Sequence, residues 1–164
     1  MKTVIFIFIF SLALIVSASA QTAKISAKDL KPLEGRQWVG DLTYLDYTSK
    51  KKTSIKSNVT ITRANDLTWI FDMQYPLEPN ANSKDETKLS ADGRTFDGET
   101  VIERIELPDG ILKIVTTKPG KDDNRDSTFR HVYLIGKKSF SIKKEVKFDG
   151  SAEYFERNTY SWTR

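Results

Sequence analysis

The chain has no cysteine and a single histidine, His131, among its 164 residues. Without thiols there is no disulfide, no thiolate metal site and no lipid anchor on an N-terminal cysteine, so packing alone must hold the fold together. The motifs Gly-x-Ser-x-Gly and His-Glu-x-x-His are also absent, and no evident nucleophile accompanies His131. The chain is therefore not expected to be an enzyme, and no metal site is expected. Asp122-Asp123-Asn124-Arg125-Asp126 crowds oxygen ligands into one segment but lacks the spaced order ending in Glu of a calcium hand, so it reads as a solvated turn. A strong charge of one sign is missing too. The formal net charge is +4, acids and bases are interspersed, and the densest basic run, Lys50-Lys51-Lys52, falls where a hairpin turn is expected. Nucleic-acid binding, which calls for a clustered basic face with interleaved aromatics, is not expected.

Long apolar runs are absent except at the start. Lys2, the run Val4 to Val16 and the small residues Ser17-Ala18-Ser19-Ala20 form the three parts of a secretory signal peptide, with cleavage expected after Ala20. The run falls short of the roughly 18 to 20 apolar residues that span a bilayer. The sequence thus divides into a signal peptide over 1–20, a lead-in with a short helix over 21–34, and one domain over 35–164, in a periplasmic or secreted protein. Loss of Lys2 lowers the charge from +4 to +3.

In the lead-in, Gln21 to Ala27 reads as disordered, and Ser26 followed by Asp29 resembles a capping arrangement for a helix from Ala27 to Leu33. Pro32 limits that helix to one or two turns, and Gly35 ends it. Beyond Gly35 the dominant period is two. Trp38, Gly40, Leu42 and Tyr44 alternate with other residues, as do Leu67, Trp69, Phe71, Met73 and Tyr75, and later Phe140, Ile142, Val146 and Phe148. Such stripes mark half-buried strands. Asn65-Asp66, Asp92-Gly93, Asp97-Gly98, Pro108-Asp109-Gly110 and Asp149-Gly150 supply hairpin turns. Two longer connections are expected, Pro76 to Asp85 and Lys118 to Asp126. The whole predicts an all-β fold, an antiparallel up-and-down β-barrel of about eight to ten strands with a short N-terminal helix.

The short helix, Trp38 at the start of the first strand, the run of hairpins, and the last strand ending Tyr160-Ser161-Trp162-Thr163-Arg164 resemble the calycins, the superfamily of lipocalins and fatty-acid-binding proteins. The likeness covers nearly all of the chain after the signal. In lipocalins one residue separates the corresponding Gly and Trp, whereas two separate Gly35 and Trp38; fatty-acid-binding proteins carry Arg-x-Tyr on the last strand, whereas Arg157 and Tyr160 stand three apart. Trp38-Val39-Gly40 is also similar to a segment of bacterial barrels that carry haem, which adds haem as a candidate cofactor with His131 as its ligand. In a closed meander with an even strand count the last strand returns to the end where the first begins, so Arg164 rather than Arg157 should lie near Trp38 and stack on it as a structural plug.

Polar residues share several of the apolar stripes. Glu103 lies between Val101 and Ile105, His131 between Phe129 and Tyr133, and Lys144 between Ile142 and Val146; on the last strand Glu156 and Asn158 share a face with Tyr160 and Trp162. Burying an unpaired charge costs several kcal/mol, so these groups must pair with each other, meet water or meet a ligand. Together with Tyr44, Trp69 and Phe71 they outline a candidate cavity for a small apolar or amphipathic molecule, whose ligand residues would be Tyr44, Trp69, Phe71, Glu103, His131, Lys144, Glu156 and Tyr160. The rival is a structural or protein-interaction barrel whose core Trp69, Phe71, Phe140 and Phe148 fill, with the loop from Pro76 to Asp85 meeting a partner. An outer-membrane barrel is disfavoured, because the opposite faces carry Asp41, Lys56, Asp72, Arg104, Arg130, Lys143, Glu145 and Arg157. A monomer is expected.

Overall fold

A computed structural model describes residues 23–164; the signal peptide over 1–20 and its cleavage after Ala20 lie outside the described residues. Helix α1 (Ala27–Leu30) runs into a single 3-10 turn at Lys31–Leu33. Ten strands follow among the described residues: β1 (Gln37–Asp46), β2 (Lys51–Asn65), β3 (Thr68–Gln74), β4 (Ser83–Lys88), β5 (Thr95–Phe96), β6 (Glu99–Glu106), β7 (Leu112–Asp122), β8 (Arg125–Ile135), β9 (Ser139–Phe148) and β10 (Phe155–Thr163). Each pairs antiparallel with its sequence neighbours, apart from β4 and β5, which form the two edges of the sheet, and β10 returns to pair with β1. This is the up-and-down barrel that the two-residue period predicts, nearly closed.

Closure is weakest between β4 and β5. There it rests on the bridge between Leu89 and Phe96 and on the Asp97 N–H to Lys88 carbonyl bond of 2.8 Å. Above that point β4 is paired with β3 alone, and β7 beyond Thr117 with β8 alone. The hairpin turn Asp97-Gly98, with positive φ at both residues, forms the lower edge of this lateral gap.

The opposite end of the barrel is a packed floor. Trp38, Trp69, Trp162, Phe140, Leu30, Leu33, Val59 and Ile61 are all buried, and α1 with its 3-10 turn covers them. A buried indole needs a partner for its N–H. Here Trp38 donates to the Leu33 carbonyl at 3.1 Å, Trp69 to Glu34 Oε1 at 2.9 Å and Trp162 to the Ser57 carbonyl at 3.0 Å. The Arg164 guanidinium lies 4.3 Å from the Trp38 ring centroid, as the even strand count requires. Gly40 sits at the β1–β10 seam, where a Cβ would run into the Ser161 carbonyl and the Trp162 Cα.

Three expectations are corrected. The lead-in is not disordered from residue 23 onward: Ile25 is buried and its N–H bonds the Gly93 carbonyl at 3.0 Å. The helix is shorter than Ala27–Leu33, since Pro32 tightens its last turn, although the Ser26 N–H does bond Asp29 Oδ2 at 2.8 Å. Lys118 to Asp126 is no long connection. β7 and β8 run through it to a two-residue turn, Asp123-Asn124, with φ of 50° and 58°. Pro119 is tolerated there because that stretch of β7 is an edge.

Candidate functional site

Between the floor and the lateral gap lies a cavity of about 290 Å³. Strands β3, β9 and β10 contribute Phe71, Met73, Ile142, Tyr160 and Trp162 to its walls, and Phe96 and Tyr133 face them. Ser83, Asp85 and Thr87 of β4, with Asp97 at the turn, stand at its opening. Tyr75 and Tyr160 share a hydroxyl–hydroxyl bond of 2.8 Å. Burial, and then that bond, pushes the Tyr160 hydroxyl above the usual tyrosine range, so it remains a neutral donor and acceptor.

The largest buried charge is one that the sequence reading missed. Glu99, on the first residue of β6, is 2% exposed. Its Oε2 accepts from Thr116 Oγ1 at 2.5 Å and lies 2.8 Å from His131 Nδ1, while Oε1 lies 2.9 Å from Lys118 Nζ. Burial opposes ionisation, but the bonds from His131, Thr116 and Lys118 and the electrostatic pull of His131 outweigh it and bring the carboxyl down to about 2. The alternation that marks Val101 reaches Glu99 when carried two residues back, directly after Asp97-Gly98, so a signal was present. His131 is thus drawn to Glu99, on the barrel's inner face.

A second polar group sits at the open upper end. A register shift between Glu156 and Asn158 leaves Arg157 as the extra residue of a bulge. Its guanidinium bonds the Leu45 carbonyl, lies 3.7 Å from Asp122 Oδ1 and stacks 4.1 Å from the Tyr47 ring centroid, and the Tyr47 hydroxyl donates to Asp122. Burial and the Asp122 carboxylate push Tyr47 up to about 12. Tyr44, Asn158, Lys144 and Leu42 line a recess of about 360 Å³ beside this group. Lys144 Nζ rests 3.9 Å from the Phe129 ring centroid, and burial lowers its pKa.

Of the expected ligand residues, Phe71 and Tyr160 border the 290 Å³ cavity, and Tyr44 and Lys144 border the upper recess. Trp69 is buried in the floor cluster. Glu103 and Glu156 are corrections, because bulges turn both outward. A register shift between Val101 and Glu103 sets Glu103 opposite Val115, out of phase with the buried Thr116, and its carboxylate pairs with Lys113 at 2.6 Å. Glu156 pairs across the outer face with Lys52 at 3.1 Å. The same bulges turn Arg104 and Arg157 away from the outer face expected of them. Arg104 reaches Asp29 under α1 at 2.7 Å, and Arg157 turns to the upper recess. Asp41 with Lys56 at 2.8 Å, and Arg130 with Glu145 at 2.5 Å, keep the outer face charged.

His131, the residue expected to ligate haem, turns its Nδ1 to Glu99 Oε2, and its imidazole does not border the 290 Å³ cavity. Among the described residues no group of three or more His, Asp or Glu could hold a metal ion, and no helix is long and apolar enough to cross a membrane. No protein-family model matches the chain, and no curated protein matches its sequence.

Proposed function

We propose that the barrel holds a small, partly apolar molecule in its interior, above the tryptophan floor, and that it does so after export to the periplasm or the exterior. The observation that carries this reading is the 290 Å³ cavity, walled by Phe71, Phe96, Tyr133, Tyr160 and Trp162 and reached through the gap between β4 and β7. Ligand sites combine mostly apolar walls with a few placed polar groups, and Tyr75, Tyr160, Thr87 and Asp97 are such groups here. The volume lies near the lower edge of the roughly 300 to 1,000 Å³ usual for such sites, which favours a compact molecule over a long-chain lipid. Trp38, Trp69 and Phe140 belong to the floor and serve the fold.

Native mass spectrometry with solvent extraction, on protein purified from its own source, tests the reading. A stoichiometric small molecule is expected, on a chain beginning at Gln21. A chain that is always empty and takes up no small apolar compound would contradict it.

A further inference from the structure

The cavity has an uneven electrostatic lining. Asp85 and Asp97 border it and no Lys, Arg or His does. Among the described residues neither carboxylate has an ion-pair partner within 4.0 Å; Asp85 accepts from Ser83 Oγ at 2.7 Å. The nearby basic groups are already engaged: Lys118 and His131 both face Glu99. Aromatic side chains line the cavity behind the two carboxylates: Tyr160 and Trp162 stack at 5.0 Å with an interplanar angle of 15°, and Phe96 meets Tyr133 edge-on at 5.5 Å. Unpaired carboxylates at the opening of an apolar, aromatic-walled cavity are the chemistry that suits an organic cation carried on an apolar body.

We infer that the ligand of this cavity is an organic cation, an amine or quaternary ammonium on a compact apolar body, with its charge between Asp85 and Asp97 at the opening and its body against Tyr160, Trp162 and Phe71. The inference rests on the reading of the barrel as a small-molecule carrier. Asp97 is held above its ordinary carboxyl value by burial, and the charges of Glu99 and Asp85 add to this against the pull of Lys118 and His131. An arriving cation relieves that repulsion, and a carboxylate ligand would increase it. Lys144 and Arg157 line the separate upper recess, where Arg157 already has Asp122 and the Leu45 carbonyl.

Three compounds with one body and different heads separate the possibilities: phenylbutylamine, phenylbutanol and phenylbutanoate, titrated at neutral pH by calorimetry and by tryptophan emission. The amine is expected to bind at least about tenfold tighter than the alcohol, with the acid weakest. Asp97→Asn and Asp85→Asn should each bring the amine's affinity down toward that of the alcohol. Asn accepts the positive φ of position 97, and position 85 lies on an exposed strand edge, so an unchanged melting temperature verifies that both variants fold. If the alcohol or the acid binds as well as the amine, the cation inference fails while the carrier reading stands. If none of the three binds up to millimolar concentration, both fail.

Discussion

Glu99 is ionised in an interior that would ordinarily refuse a charge, and it is stable there only because Thr116, His131 and Lys118 surround both oxygens. Its folded value of about 2 lies below the ordinary 4.5, so the unfolded chain takes up the proton first as pH falls. The stability it contributes is therefore fully present above about pH 4.5 and is lost as pH drops toward 2. Glu99→Gln should flatten that part of the profile in urea unfolding at stepped pH and cost about 2 kcal/mol at neutral pH, the worth of a hydrogen bond to a charged group. A parallel profile in the variant would show that Glu99 is not the titrating group. At the floor, Arg164→Ala should cost about 0.5–2 kcal/mol by the same measurement, since the guanidinium lies over Trp38 and bonds the Lys137 carbonyl.

At the scale of elements, strands and their order were legible because alternation and turn residues repeat through the chain. Leu67 to Tyr75 predicted β3 and the residues after it, and Asp97-Gly98 is the tight turn its composition announces. Facing was legible only up to the first bulge. Ile102 and Arg157 are the extra residues in two of the three irregular pairs, and neither is a glycine or a proline that would mark the slip. One inserted residue reverses every side chain beyond it, which is why Glu103 and Glu156 were expected inside and Arg104 outside. The end of β7 was hidden for a different reason. Proline and glycine are poor strand residues, but Pro119 sits on an edge and Gly120 leaves room for the Phe129 ring, which a Cβ would strike. The seam between first and last strands gives a prediction at this scale. Gly40→Ala should destabilise by about 1–3 kcal/mol in urea, because the new methyl meets Ser161 backbone that cannot move without parting β1 from β10. An unchanged midpoint would mean that the seam is looser than drawn.

For the whole molecule the filled and hollow parts are segregated. Indoles and aliphatic side chains pack the end that α1 covers, whereas the middle retains about 290 Å³ beside the one stretch where neighbouring strands do not pair. The sequence could reveal the aromatic walls but not the space, because whether large side chains fill a barrel depends on strand tilt and bulges as well as on their number. The most direct test of an interior built for a small molecule is titration with the neutral, polarity-sensitive fluorophore N-phenylnaphthylamine, comparing the native chain with Thr87→Phe, whose ring would occupy the cavity. Saturable one-to-one enhancement in the native chain, lost in a variant that melts at the same temperature, is the predicted result. No saturable enhancement, or the same enhancement in both proteins, would contradict it.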